Sequence, residues 1–339
     1  MILFRLLGAL LTLPTLADSG ISVLDGEELD ELLSPSLERW GASESNFGLA
    51  FYYSGTGETY YLHPEAPFYS ASLYKVPVCM RYAELVSQGE LSWDERIAGR
   101  ELDELVRLTL VNSSNDTAGA LVLHDTELCY GHRAFGLYSG YSEEEQYALE
   151  SKYTFTPRYV LNTFLTLYQQ SERFPRVLDY LSEAAPGSFF RSKLDPSLEV
   201  AQKYGQYEGV LHTAGVIRTP HPIILVVMCG SMKGQLEAIE DLAVFFADYA
   251  LTLDGRMEAE EERLRAEQEQ EEAKRQQRLA EEDQLREQAQ QKALDEQARQ
   301  EAEARQQAKR QRENLMITAI LTLSAVRAVT ALLLRKKKA

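Results

Sequence analysis

Apolar positions that recur every three or four residues predict helices in the first half of the chain. The run 73–85 predicts a helix packed against a core, and the turn-prone segment 64–67 precedes it. The run 105–118 predicts a second helix, which ends in small polar residues, and a third helix follows over 118–123. The polar break before the third helix can hold side chains out into a cleft.

The second half of the chain carries a strand pattern. Two apolar runs, 209–217 and 222–229, are joined by the short segment 218–221 and predict a meander of antiparallel strands. The strand-like region opens at Lys203. The first 254 residues thus combine helices with an antiparallel sheet.

Beyond residue 253 the composition changes to that of a long polar helix. Residues 258–314 are almost entirely Glu, Gln, Ala, Arg and Lys without Gly or Pro, and these residue types favour helix. Leu264 and Leu285 share a heptad register with Glu271 and Arg278, so the apolar repeat is poor. We predict a charged helical stalk over 255–314, of which the polar run 258–314 would be about 85 Å long at ~1.5 Å per residue. A weak dimeric coiled coil is the alternative.

The two ends of the chain predict export and membrane anchoring. Residues 1–17 have one positive charge, an apolar core and a small residue at the end, as in a cleaved signal peptide. Residues 315–334 are apolar and long enough to cross a bilayer, and the basic tail 335–339 favours a cytoplasmic C-terminus. Arg327 would cost roughly 2.5 to 3.5 kcal/mol in the membrane centre, and an amphipathic surface anchor is the alternative. The folded domain, 18–254, is then held outside the cytoplasm in the cell envelope.

Composition excludes several classes of function. The 339 residues carry a net charge of −17, and the absence of a basic patch argues against nucleic-acid binding. No Cys, His and carboxylate cluster has the spacing of metal ligands, so we predict neither a metal nor another cofactor. The three cysteines, Cys79, Cys129 and Cys229, are an odd number for an exported chain and predict no particular disulfide.

The first motif that carries chemistry pairs Ser72 with Lys75. Residues three apart on a helix share a face, which places the lysine amine near the hydroxyl. A lysine whose pKa is lowered by burial can take the proton of a serine and make it a nucleophile. The alternative is a helix-capping serine followed by a surface lysine.

Two further motifs follow in order. Ser113 and Asn115 lie in the polar break between helices, where the serine can relay a proton and the asparagine can bind a substrate amide. Lys203 and Gly205 begin the strand region, where a lysine supplies positive charge and a glycine lets substrate approach the backbone. Each motif alone also fits a turn or a strand end, so the order of all three carries the argument.

Together these motifs resemble the class A β-lactamase and penicillin-binding protein superfamily, whose signature is S-x-x-K, S-D-N and K-T-G. The segments 46–52, 55–61 and 68–77 are similar to that family's opening hairpin and nucleophile helix, and 156–158 is similar to the helix start after its Ω-loop. The resemblance spans residues 25–251. It implies an α+β fold, an α/β-α sandwich, with an antiparallel sheet flanked by helices and a mostly helical subdomain inserted between the first and third motifs.

The resemblance also implies a role for each matching residue. Ser72 would be the acylated nucleophile, Lys75 its general base, and Ser113 the proton shuttle to the leaving nitrogen. Substrate would be held by Asn115, Lys203, Gly205 and Gln206. Backbone N–H groups of residues 72 and 206 would form the oxyanion hole, worth roughly 3 to 4 kcal/mol in such sites.

The chain departs from the family pattern in the third motif and in the deacylating base. Tyr204 stands where the family places Thr or Ser, and strand alternation puts Ala214 where class A enzymes often carry a cation. His212 lies on the same face and is either a partial substitute or a structural histidine. Candidates for the base that activates water lie in the segment before Thr156, although none has the family context: Glu143, Glu144, Glu145 and Glu150.

These features predict a membrane-tethered serine hydrolase that acts on β-lactam amides through Ser72. One alternative is a penicillin-binding-like enzyme that acts on D-Ala-D-Ala cell-wall peptides, which a missing base would favour. The other is a catalytically silent binding or scaffold protein, which Tyr204 favours. A dimer through the stalk belongs to the coiled-coil interpretation.

Overall fold

The computed structural model describes residues 23–125 and 133–336. It contains two compact units, which meet in sequence between Glu261 and Glu262. The predicted signal peptide and Cys129 lie outside the described residues. Each unit is described separately below.

The first unit opens with helix α1 (Gly26–Trp40) and the hairpin β1 (Phe47–Tyr53) and β2 (Glu58–Leu62). The side chain of Asp25 caps α1 by accepting hydrogen bonds from two backbone N–H groups of the first turn. The two strands pair antiparallel, with Phe51 opposite Tyr60. The opening hairpin that the family resemblance implied is therefore present.

The strand region forms the predicted meander, with strands β7 (Val200–Tyr207), β8 (Val210–Ile217) and β9 (Ile223–Cys229). All neighbours in the sheet are antiparallel, and the strand order is β2-β1-β9-β8-β7. Strand β9 is buried along its whole length, as an apolar run without alternation predicts for a central strand. Strand β7 lies at the edge of the sheet, which leaves one side of its backbone without a partner strand.

Helices and short ladders occupy the sequence between the hairpin and β7. In chain order the elements are β3 (Phe68–Tyr69), the 3₁₀ turn Ala71–Tyr74, α2 (Lys75–Ser87), β4 (Arg96–Ile97), β5 (Arg100–Glu101), α3 (Leu102–Val111), α4 (Asn115–His124), α5 (Arg133–Gly136), α6 (Glu143–Glu150), β6 (Thr154–Phe155), α7 (Pro157–Gln169), the 3₁₀ turn Ser171–Arg173, α8 (Val177–Glu183) and the 3₁₀ turn Phe189–Arg191. This part is mostly helical, and its core is continuous with one face of the sheet. The predicted α+β fold with an inserted helical subdomain is confirmed.

Helix α9 (Gln235–Lys336) is the last element and continues across the boundary between the two units. Its first turns cover the other face of the sheet, where the Phe246 ring stacks on Phe51 with centroids 4.6 Å apart. Within the second unit, the side chains whose burial the structure describes are exposed, apart from Leu264, which is partly buried. By length and composition the helix has one stretch apolar enough to cross a membrane, which is weak evidence for an anchor. The boundaries of the predicted stalk and anchor stay predictions.

Candidate active site

The turn that carries Ser72 is short and strained. Ser72 lies in the 3₁₀ turn Ala71–Tyr74, and Lys75 is the first residue of α2. Ala71 has a φ of 44°, a left-handed conformation that costs energy in a residue with a side chain. A hydrogen bond to a distant segment holds the start of the turn, because the N–H of Ser70 donates to the carbonyl of Tyr153 at 2.8 Å. Ser72 itself is half-buried.

Lys75 lies beneath this turn and is fully buried. Its Nζ donates to the Ser113 carbonyl oxygen at 2.5 Å and to Asn115 Oδ1 at 2.7 Å. Burial disfavours the ammonium form and lowers the pKa of Lys75 to about 8. An appreciable fraction of this lysine is therefore a neutral amine near pH 7.5, which is the form a general base requires.

Ser113 lies where α3 ends and α4 begins. Its φ of 54° turns the chain sharply, and Ser114 caps α4 by accepting from the Thr117 N–H. The cap explains why α4 begins at Asn115 rather than at Ala118, the start that apolar spacing predicted. The turn holds the Ser113 hydroxyl toward Lys75 while Asn115 starts the next helix.

Lys203 reaches the same hydroxyl from the sheet edge. Its Nζ donates to Ser113 Oγ at 2.8 Å, and Lys75 Nζ lies 3.4 Å from that oxygen. Lys203 is fully buried, and its pKa falls to about 7 through burial first and repulsion by Lys75 second. One hydroxyl thus lies between two amines that both titrate near neutral pH. That arrangement can pass a proton along the cleft.

Gly205 brings the edge strand against the nucleophile turn. A Cβ at this position would lie 3.0 Å from the Ser72 backbone nitrogen and 3.1 Å from Ala71 Cβ. Only a glycine therefore allows this approach without displacing the turn. Gln206 follows on the strand and is exposed. The oxyanion-hole role of the residue 72 and 206 N–H groups stays a prediction.

The strand beside this site carries no cation. Lys203 pairs with Ala214, Tyr204 with Thr213, and Gly205 with His212. His212 is fully buried and accepts from the Cys229 N–H at Nδ1, so its Nε2–H donates to the Tyr69 carbonyl at 2.9 Å. Burial lowers its pKa to about 4, which keeps the ring neutral. The structure thus favours the structural interpretation of this histidine.

Burial separates the four candidate bases on α6. Glu143, Glu144 and Glu145 lie exposed in its first turn, and Glu145 forms a capping box with Ser142. Glu150 ends the helix and is 1% exposed. Its Oε1 accepts from the Tyr159 hydroxyl at 2.6 Å, and burial raises its pKa to about 7.

The third motif has an aromatic neighbour that the sequence pattern did not predict. The Phe189 ring stacks on Tyr204 with centroids 4.6 Å apart and an interplanar angle of 15°. Phe189 adopts a φ of 56°, and the preceding Pro186 and Gly187 signal a turn but not this ring contact. A contact between residues fifteen positions apart across an irregular loop depends on the fold, so no periodicity could reveal it.

Comparison with known proteins supports the class of the fold. The family model described as "Beta-lactamase enzyme family" matches residues 30–105 and 102–245. The chain therefore belongs to the beta-lactamase enzyme family. A search of curated proteins finds no match.

Solved structures share the fold at low sequence identity. An ancestral class A beta-lactamase is 19% identical with a TM-score of 0.56, covering 65% of this chain and 99% of its own. PBP-A is 17% identical with a TM-score of 0.54, covering 66% of this chain and 95% of its own. A beta lactamase from Xanthomonas campestris pv. campestris is 17% identical with a TM-score of 0.54, covering 68% of this chain and 98% of its own.

Proposed function

We propose that this protein is a serine hydrolase that forms an acyl-enzyme at Ser72. The observation that carries the proposal is the Ser113 hydroxyl held between two buried lysines, 2.8 Å from Lys203 Nζ and 3.4 Å from Lys75 Nζ. Burying two amines costs stability, so we expect amines that stay buried in a fold to serve its function. A proton relay next to a serine is the function that this arrangement supports best.

The reaction that we propose uses these groups in turn. Neutral Lys75 takes the Ser72 hydroxyl proton as Oγ attacks an amide carbonyl, and a tetrahedral oxyanion forms. Ser113 then gives its proton to the leaving nitrogen and regains one from the lysine pair, so the C–N bond breaks and the Ser72 ester remains. The backbone N–H of Ser72, which lies beside Gly205, would stabilise the oxyanion. Attack by water on the ester completes hydrolysis.

A β-lactam amide is the donor that we propose first. The similar structures include beta-lactamases, and a PBP-A variant 17% identical to this chain was solved as its acyl-enzyme complex with penicillin G, with a TM-score of 0.55. For the water step, burial favours Glu150 over the three exposed candidates, because a pKa of about 7 suits a base at neutral pH. The Ser70 N–H bond to Tyr153 holds the segment after Glu150 beside the nucleophile turn.

A penicillin-binding-like peptidase is the second candidate. The family context for a deacylating glutamate is absent from α6, and without such a base the acyl-enzyme would persist. The donor would then be a D-Ala-D-Ala peptide of the cell wall. A catalytically silent scaffold is the third candidate, since the long helix can serve binding by itself.

Location in the cell envelope is part of the proposal. Residues 1–17 would direct export, and the apolar end of α9 would anchor the chain in the membrane. The charged helix after residue 254 would hold the catalytic domain away from the bilayer. Pairing of two such helices would make a dimer.

The test is the intact mass of the full chain in detergent, followed over time after addition of benzylpenicillin. A covalent adduct that Ser72→Ala lacks is sufficient to show acylation at Ser72. An adduct that forms and clears supports hydrolysis, whereas one that persists supports the peptidase. No adduct at millimolar penicillin contradicts the β-lactam proposal.

Glu150→Gln separates the two enzyme candidates further. If Glu150 activates water, this variant slows clearance of the adduct by about 10²- to 10⁴-fold without slowing its formation. Glu144→Gln is the matched control, because Glu144 lies exposed on the same helix. Equal clearance in the two variants would remove Glu150 from the mechanism.

A further inference from the structure

The side of the cleft beside Gly205 is aromatic and uncharged at its surface. Tyr204 and Phe189 are half-buried and stack with nearly parallel rings. Both lie at the open edge of the sheet, next to the strand position that touches the Ser72 turn. A substrate whose carbonyl reaches Ser72 therefore places its neighbouring groups against this ring pair.

The ring pair is held from behind. Gln202 is fully buried, and its Oε1 accepts from the Phe190 N–H at 3.1 Å. Its Nε2 donates to the carbonyls of Ala185 at 3.2 Å and Ser188 at 3.0 Å. One side chain of β7 thus fixes the loop that carries Phe189. The position of the Phe189 ring against Tyr204 is therefore fixed by buried hydrogen bonds.

The only lysine of β7 is covered by the same stack. Lys203 Nζ lies 4.2 Å from the Tyr204 ring centroid and donates to the Tyr204 carbonyl at 2.7 Å and to Ser113 Oγ at 2.8 Å. The side chain has no exposed surface. An anionic group in the cleft would meet the aromatic rings before it could reach this ammonium.

Other charged groups near the strand do not replace it. Lys75 Nζ is engaged by the Ser113 carbonyl and Asn115 Oδ1, and His212 has both ring nitrogens in hydrogen bonds. Arg191 follows Phe189 closely, but its guanidinium donates to the carbonyls of Ser182 and Val200. Val200 is four residues from Tyr204, roughly 13 Å along a strand.

We propose that the Phe189–Tyr204 pair is the specificity determinant of this site and selects acyl donors that carry a neutral, flat or apolar group beside the scissile amide, in preference to a carboxylate. Desolvating a carboxylate against two rings without a cation is unfavourable, whereas an apolar or ester group gains by stacking. The inference rests on acylation of Ser72, and it names the class of donor for that reaction.

Benzylpenicillin and its methyl ester form the matched pair that tests it. They share the strained amide and differ in the carboxylate alone. We expect the full chain in detergent to be acylated by the ester about 10- to 100-fold faster than by the acid, the range that a lost hydrogen bond to a charged group gives. The rate is the appearance of the intact-mass adduct, with Ser72→Ala as background for both donors.

Tyr204→Thr tests the determinant itself. Removing the ring opens Lys203 to the cleft and supplies a small hydroxyl, so the ester preference should fall about tenfold or more through faster reaction of the acid. Phe189→Leu, which keeps Tyr204 but removes the stack, is the second variant should the first not fold. Tyr207→Thr is the matched control, because this exposed tyrosine lies three residues further along β7.

The outcomes are distinct. Labelling of Ser72 by both donors with the acid equal or faster overturns the inference and leaves the proposed function standing. An ester preference that Tyr204→Thr and Phe189→Leu leave unchanged also overturns it. Labelling by neither donor overturns the proposed function and the inference together. An ester preference that the two ring variants reduce and Tyr207→Thr does not supports the inference.

Discussion

Basic side chains occur in two contrasting environments in this protein. In the catalytic domain Lys75 and Lys203 are fully buried, share one serine hydroxyl and have pKa values lowered by burial. Beyond Glu261, by contrast, lysines and arginines such as Lys274 and Arg278 are exposed along helix α9. The same residue types are costly in the first environment and nearly neutral for stability in the second.

The difference shows that the stability cost of basic side chains falls on the lysines of the candidate active site. A buried amine loses hydration, and the hydrogen bonds to Ser113 and Asn115 offset part of that loss. An exposed charge on a helix keeps its water and adds only weak pair interactions. We therefore expect substitutions of the same kind to have large effects on catalysis in the cleft and small effects on the helix.

The largest effect should come from removing the buried base. We expect Lys75→Met to lower the rate of acylation of Ser72 by about 10²- to 10⁴-fold, because the general base is lost. Lys274→Met, the same substitution on the exposed helix, should leave the rate unchanged. The measurement is adduct formation by intact mass with a saturating donor. Equal acylation rates in the two variants would show that the buried lysine matters no more for the reaction than the exposed one.

A smaller loss should follow from crowding the nucleophile turn. Gly205→Ala places a Cβ 3.0 Å from the Ser72 nitrogen and displaces strand or turn, so acylation should fall by about 10- to 100-fold. Gly119→Ala on α4 is the control, since nothing lies within 4 Å of a Cβ there. That change should preserve acylation and stabilise the helix by roughly 0.5 to 1 kcal/mol. Comparable acylation in both variants would contradict the role of close approach.

The pH dependence of the free energy of unfolding should reflect the shifted pKa values of the buried titratable groups. Up to about pH 7 the folded chain keeps the Glu150 proton that the unfolded chain loses, so the free energy of unfolding falls as pH rises. From about pH 7 to 10 the folded chain has lost lysine protons that the unfolded chain keeps, so the free energy of unfolding rises again. Each group contributes a slope of about 1.4 kcal/mol per pH unit, and together they predict a minimum near pH 7.

Denaturant unfolding at pH 5, 7 and 9 measures these slopes. Glu150→Gln should remove the falling limb, and Lys203→Met should flatten the rising limb. Glu144→Gln and Lys274→Met, both at exposed positions, should reproduce the pH profile of the parent chain. Retention of both limbs in the two buried-site variants would show that other groups cause them.

The smallest effect should come from the exposed helix. Arg278 pairs with Glu271 at 3.3 Å, but both side chains are about two-thirds exposed, at 68% and 70%. We expect Arg278→Ala to change the free energy of unfolding by less than about 0.5 kcal/mol. Thermal unfolding followed by circular dichroism measures it. A loss above about 1 kcal/mol would mean that this part of the helix is packed against a partner, as the dimeric coiled coil requires.

Local signals were sufficient for much of the fold. The apolar runs predicted strands β8 and β9, because a central strand needs apolar residues on both faces. The family resemblance, rather than a local signal, implied the start of α7 at Thr156, where the Thr156 side chain accepts from the Tyr159 N–H. The start of α4 was predicted three residues late, because apolar spacing does not register the Ser114 cap.

The chain itself therefore specified the class of fold, the order of the three motifs and the choice of Ser72, Lys75, Ser113 and Lys203 as chemical candidates. Long-range packing set what those candidates can do: the burial of both lysines, the isolation of Glu150 from three similar glutamates, and the stack of Phe189 on Tyr204. The physical reason is that periodicity and capping act over one or two turns, whereas desolvation depends on which distant segments surround a group. A shifted pKa or a stacked ring pair such as Phe189 and Tyr204 arises only when distant segments pack together.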